Sequence, residues 1–524
     1  MIGARRAAAA LFAVALVAPQ APAQAGTVRV SVEAPWDIPG TPVAARVSVT
    51  ATTRRQLDLT VSCGEGVARA RVATRRPGDA VVTTVLVPAS GRGDYGCAPR
   101  VQWASDDGQR GVASGAGALY EVDLVLATPH PDVSVPASWR LSDLSAKRLP
   151  DRWQAYPLGM TLVLGPEADE ALDDAQRAAI AAWTRAGGHL LLADDPTLAA
   201  RWRGRGAIVE ADPVTFEAAV DRALSAEAPA HPGAGGRYAV PGTEEIPVVG
   251  FTLLALLFAV LVGPLNLWWV INKRKQRHLL LITTPILSFG ACVVLFGYNI
   301  LNEGLDLRRA ATQLTWLDGD RHEAITWTGA SYFAGLGVGA FDLPADALVS
   351  RLRTGHSELF EPGAVDPMVS RLAADWTGPA QRLTGDWIRA RRHAQLVFIV
   401  PTAERRRLTL TREGDGYALV NGLGAALYSF AWRDPQGARW ALKTTLEDGA
   451  RRALHPEAVA AVGPELDRLG AGAHRAWQRG QRPGHFTAEL AAPLAAVPGP
   501  EATDEEPTRA WLTGPLQPTA VEAP

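Results

Sequence analysis

The groups most able to do chemistry are few. Asp194 and Asp195 adjoin at the expected C-terminal end of a strand, where ligands of parallel sheets bind, and two carboxylates there could hold a cation or polarise water. Asp195 also stands where a helix cap is needed, one residue before Pro196, which gives that carboxylate a structural duty as well. Cys63 lies in Ser62-Cys63-Gly64-Glu65-Gly66, with no strand-to-helix elbow around it to make it a nucleophile. A His-x-Glu triplet occurs at His356-Ser357-Glu358, far along the chain. The ten histidines are scattered without HExxH spacing, so no metal or other cofactor is expected. Tyr428, Phe430 and Trp432 recur with the period of a strand, as core residues or as a stacking platform for glycan.

These residues must be positioned by more than one core, since 524 residues exceed what one core organises. The net charge of -2 argues against a nucleic-acid partner. Arg5 and Arg6 precede an apolar run ending at Ala18, and Ala23-Gln24-Ala25 offers small residues for cleavage, so residues 1–25 read as a signal peptide. In an exported chain Cys63 and Cys97 are the expected disulfide. Residues 27–118 alternate like half-buried strands, as in Leu57-Asp58-Leu59-Thr60-Val61, and predict an Ig-like β-sandwich.

From 120 to 228 strand and helix alternate, predicting a small parallel α/β domain. Thr161 to Leu164 and His189 to Ala193 are its clearest strands. Asp173 caps a helix with Gln176 at the capping-box position and Gly187 as its stop. His189 reads as a satisfied core residue. After a linker at 229–247, two apolar uncharged runs at 248–271 and 279–300 predict a transmembrane hairpin. The loop between them, 272–278, carries Lys273, Arg274, Lys275 and Arg277 and is expected in the cytoplasm against anionic lipid, with Trp268 and Trp269 as interface anchors. Residues 303–489 predict a β-rich domain, with a helix over Pro456 to Leu469 and Arg405-Arg406-Arg407 as a solvated turn. The Pro- and Ala-rich residues 490–524 predict a flexible tail. The expected class is therefore a multidomain α+β membrane protein of the bacterial inner membrane, its large domains periplasmic.

The run Leu149-Pro150-Asp151-Arg152-Trp153, then Thr161-Leu162-Val163-Leu164-Gly165, then Ala182 through Gly187-Gly188 to Leu192, resembles the class I glutamine-amidotransferase-like domain of uncharacterised bacterial envelope proteins. Gly263-Pro264-Leu265-Asn266 ahead of the basic loop resembles their membrane hairpin. The resemblance implies a flavodoxin-like sheet. It implies a degenerate, binding version of the amidotransferase, since 120–228 holds no cysteine to serve as nucleophile. The preferred expectation is a non-catalytic scaffold with the lipid bilayer and envelope proteins as partners. An envelope hydrolase working at Asp194 and Asp195, and an accessory subunit of a transporter, are the alternatives.

Overall fold

The computed structural model describes residues 28–37, 42–64, 66–88, 97–115, 119–120, 124–127, 141–192, 195–209, 240, 248–269, 280–303, 305–351, 371–456, 463–464, 466 and 469–519. The alternating N-terminal segments form two sheets facing each other across a core of Val47, Val49, Leu57, Leu59 and Val61. One sheet pairs Val28–Glu33 with Val43–Ala51, and that strand with Ala80–Val87, all antiparallel. The other is built on Gln56–Cys63 between Gly66–Ala73 and Arg100–Ser105. Its free edge is not left to solvent. Leu372–Asp375, some 300 residues on, adds in parallel to Gly66–Ala73, and Ala380–Gly385 and Ala340–Pro344 follow; with Arg110–Ser114 beyond Arg100–Ser105 the sheet has seven strands. The sandwich expected within 27–118 is thus completed by chain from beyond the apolar runs. Trp376 locks the junction, its indole N–H donating to the Leu86 carbonyl at 3.2 Å.

The α/β region is a four-stranded parallel sheet in the order Leu141–Asp143, Leu124–Leu126, Thr161–Leu164, His189–Leu192. Helix Asp174–Arg185 begins with both bonds of the capping box: Asp173 Oδ1 accepts from the Gln176 amide at 2.8 Å, and Gln176 Oε1 from the Asp173 amide at 3.0 Å. Ile180 and Trp183 are buried on its inner face. Ala207-Ile208-Val209 is irregular chain. His189 sits in its strand with Nδ1 at 3.0 Å from the Thr161 hydroxyl.

The largest sheet has ten strands. Its centre is the hairpin Leu307–Asp318 with Glu323–Ala334, flanked by His393–Ala403 on one side and Arg509–Pro515 on the other. Arg509–Pro515 lies in parallel against Leu307–Asp318 and antiparallel to His485–Leu490. This corrects the flexible tail: Ala510, Trp511 and Leu512 are buried, and their apolar side chains supply the area that orders the segment. Leu427–Arg433 continues the sheet with a register shift between Leu427 and Ser429. That bulge turns Tyr428 outward, 57% exposed, while Phe430 and Trp432 stay buried, so the three aromatics do not share a face. Arg406 of the triple-arginine turn is built in, bonded to Glu404 and to the Leu494 carbonyl at 2.6 Å. The helix expected at Pro456 to Leu469 falls largely outside the described residues; the helix observed is Ala471–Gly480.

Among the described residues the balance is 45% strand to 21% helix, mostly β, which corrects the expected α+β class. The transmembrane hairpin is corrected as well. Among the described residues no helix is long and apolar enough to cross a membrane. The first run is α-helical over Val248–Val260, about 20 Å at 1.5 Å per residue, before a π-helical turn at Leu261–Leu265 takes over around Pro264 and a short α turn, Asn266–Trp268, follows. The second helix, Leu280–Glu303, holds Thr283, Thr284 and Pro285 near its start and Tyr298, Asn299, Asn302 and Glu303 towards its end. The apolar stretch between those groups is short.

Candidate functional site

Asp194 lies outside the described residues, and so do Lys273, Arg274, Lys275 and Arg277 and the triplet His356-Ser357-Glu358. Asp195 caps helix Pro196–Gly204. Its Oδ1 accepts from the Thr197 amide and hydroxyl, both at 2.8 Å, and Oδ2 accepts from Arg201 Nη2 at 2.9 Å. The Thr197 hydroxyl and amide, and then Arg201, hold this carboxyl below its ordinary range. Arg201 also reaches the buried Asp169 at 3.5 Å, and Asp169 meets Arg177 at 3.6 Å. Asp169 and Asp195 thus each face a guanidinium at this edge, and the lowered carboxyl of Asp195 is a poor proton acceptor. Among the described residues no group of three or more His, Cys, Asp or Glu side chains converges as metal ligands would.

Cys63 and Cys97 stand at disulfide distance, Cα to Cα 5.7 Å, which ties the strand Gln56–Cys63 to the segment entering Arg100–Ser105.

The two apolar helices pack on each other through a polar contact: buried Asn266 donates from Nδ2 to the Thr284 hydroxyl at 3.2 Å. Their outward faces are bare. Leu281 is 81% and Phe289 73% exposed, and Leu256, Ile282, Ile286 and Val294 are exposed with them. Trp268 and Trp269 are exposed at the end of the first helix. Beside the π turn, Leu261, Leu265, Trp269, Ile286 and Leu287 enclose an apolar hollow of about 310 Å³. The pair touches the β-rich body where the Arg391 guanidinium lies over the Phe296 ring, 5.8 Å from its centroid.

A larger cleft of about 500 Å³ opens between the α/β sheet and the ten-stranded sheet. Its lining comes from five stretches between Arg185 and Gln517. No local motif signals it, because each contributor looks alone like a helix end or a hairpin turn.

No family model matches this chain and no curated protein matches it. The resemblance to envelope proteins with an amidotransferase-like domain is thereby corrected: the motifs that carried it, a strand, a capped helix and a Gly-Gly turn, recur wherever a helix returns to a parallel sheet. Among solved structures, the yeast delta-COP-I mu-homology domain complexed with a Dsl1 WxWxV peptide aligns with 40% of this chain and 96% of that chain, at 8% identity and a TM-score of 0.18. A likeness at that score carries no argument here.

Proposed function

We propose that this chain is a non-catalytic interaction scaffold of the bacterial envelope, held at a lipid surface by its apolar helix pair and presenting its sheets on the outer side to envelope proteins. The observation that carries the reading is the bare apolar surface of that pair. Monomers rarely leave large contiguous apolar surface in water, and where they do it marks a lipid or protein contact. A contact of this kind needs no span. The rest of the architecture supports a presenting body: segments before and after the helix pair share one sheet, so the pair projects from a single interlocked unit. The engaged carboxylate of Asp195 and the Cys63–Cys97 pair support the same reading, the first against hydrolysis and the second for an oxidising compartment.

Flotation of the full chain with vesicles of phosphatidylcholine, with and without anionic lipid, tests it. The chain should rise with the vesicles, and a variant carrying Leu256→Ser, Ile282→Ser, Ile286→Ser and Phe289→Ser should stay behind. A wild-type chain that stays in the dense fraction, or a variant that floats as well, would sink the proposal. Stoichiometric co-purification with a multi-span protein in place of vesicle binding would favour the transporter-accessory reading.

A further inference from the structure

The cleft between the α/β sheet and the ten-stranded sheet collects like charge in a way that folding alone does not ask for. Its walls carry Arg185, Arg203, Arg321, Arg479 and Arg482. Against these five stand three carboxylates, Asp318, Asp320 and Glu323, so the formal charge of the lining is about +2 with His485 neutral, in a chain whose net charge is -2. Part of this has a local explanation. Arg185, Arg203 and Arg479 sit in the last turns of three different helices, where cations offset the helix dipole. The dipole accounts for each residue's place on its helix. It does not account for three such ends meeting over one hollow.

The convergence is closest at Gly206. Arg185 Nη1 donates to the Gly206 carbonyl at 3.2 Å, and Arg321 Nη2 donates to the Arg203 carbonyl at 3.0 Å. A methyl group placed on Gly206 would lie 2.7 Å from Arg321 Nη1 and 2.8 Å from Arg185 Nη1. Two guanidinium groups, one from the end of helix Asp174–Arg185 and one from the turn between Leu307–Asp318 and Glu323–Ala334, thus meet above one bare glycine. Each also has a carboxylate within reach, Glu323 at 3.5 Å from Arg185 and Asp318 at 3.8 Å from Arg321, which offsets their repulsion, while the lining as a whole stays positive. The opposite wall is amphipathic. His485 is packed on Trp316, ring centroids 5.7 Å apart, and its Nδ1 is bound to the Pro483 carbonyl at 3.0 Å. Ile208, Val209 and Ile325 add apolar lining. A hollow of about 500 Å³ is the size of a small-molecule site, and planar guanidinium forks match oxyanions.

We propose that this cleft binds a small organic molecule through a carboxylate or phosphate group, with Arg185 and Arg321 gripping the oxyanion and Trp316 and His485 covering the apolar remainder. The site lies between the α/β region and the ten-stranded sheet, so an occupant bridges them. The helix pair takes no part, and the vesicle experiment leaves this proposal untouched whichever way it falls.

An anion in the cleft also favours protonation of His485, whose ring is otherwise kept neutral by burial and by Arg482 and Arg479. Binding should therefore take up a proton, a signature that a diffuse surface effect lacks. The test is titration calorimetry on the full chain near pH 6.5 in two buffers of different ionisation enthalpy, with inorganic phosphate and with succinate as probes. A saturable, buffer-dependent heat is expected with at least one probe at an ionic strength matched by sodium chloride. Phosphate alone would identify a phosphoryl ligand, succinate alone a carboxylate, and both an oxyanion site of either kind. Arg321→Gln should weaken binding by about tenfold or more, since a charge-assisted contact is lost. Arg482→Gln, at the rim, provides a second variant if the first disturbs the fold. His485→Gln should bind but lose the buffer dependence. Absence of saturable heat with both probes, or undiminished affinity in both arginine variants, overturns the proposal.

Discussion

Gly472→Ala should loosen the docking of helix Ala471–Gly480 on the α/β sheet, although the substitution improves the helix itself. Alanine in place of glycine favours a helix by up to about 1 kcal/mol. Against this stands the contact made by Gly472. Its added methyl would lie 2.5 Å from the Ala186 carbonyl oxygen, 2.8 Å from Leu158 Cδ1 and 2.9 Å from Trp327 Nε1. The first of these is backbone and cannot rotate away. Gly187, at φ 98° beyond the end of helix Asp174–Arg185, faces the same spot from the other side, so the two backbones touch with no side chain between them. Overpacking at such a place costs about 1–3 kcal/mol. Displacing the helix also strains the bonds from Arg475 to the Gly187 carbonyl at 2.9 Å and from Arg479, 2% exposed, to Thr184 and Gly188 at 2.9 and 3.1 Å. Charged-group bonds of this kind contribute about 1.5–3 kcal/mol each. The clash wins, with a net local loss of about 2–4 kcal/mol. A chain of several modules has no single unfolding free energy, so the assay is hydrogen exchange followed peptide by peptide. Amides over 183–190 and 471–480 should exchange roughly thirtyfold to a thousandfold faster at the expected free-energy change. Gly204→Ala is the control: it too lies in the terminal turn of a helix, with nothing within 4 Å of the new methyl, and should leave protection unchanged or slightly raised. If Gly472→Ala behaves like Gly204→Ala, the close approach of the two backbones is not what holds this interface.

Burial, reinforced by Arg482 and Arg479, holds the His485 imidazole below its ordinary value of 6.5, so the unfolded chain takes up the proton first as pH falls. Local stability should be undiminished above pH 6.5, decline below it, and level off beneath the folded-state value; His485→Gln should remove that slope in the exchange protection factors of amides over 485–490 taken across this range. Burial pushes the Tyr332 phenol up to about 12, from 10.0 in an unfolded chain. Its hydroxyl donates to the Pro498 carbonyl at 3.0 Å, and stability should fall as pH rises from 10 towards 12, with tyrosinate absorbance at this site appearing only on unfolding. Reducing the Cys63–Cys97 pair, 34 residues apart, should cost the N-terminal sandwich about 3–4 kcal/mol by the chain-entropy relation. Equal exchange protection over 56–73 with and without reductant would refute a staple.

What could be read from residue order was local. Asp173 with Gln176, and Asp195 with Pro196, set helix starts whose bonds close within three residues. Period-two alternation marked the N-terminal strands because each has one face in the core and one near solvent. The same logic misses Leu307–Asp318 and Glu323–Ala334. Both are buried on both faces along most of their length, so no alternation survives to announce them. It also misreads Tyr428, because a bulge inserts one residue and flips the alternation, and nothing in the residue types there signals the insertion.

The chain's order of residues by itself determined where the helices at Asp174 and Pro196 start, which N-terminal strands have a wet face, that two cysteines could pair, and that two apolar segments would lie together in mid-chain. Only the tertiary structure decided that Leu372–Asp375 completes an N-terminal sheet, that Arg509–Pro515 is a central strand and no tail, and that five arginines from distant stretches line one cleft. Those outcomes depend on pairings across about 200 to 300 residues, whose partners leave no mark on their neighbours in sequence. A strand acquires its second face, and an arginine its companions, only when the sheets have closed around them.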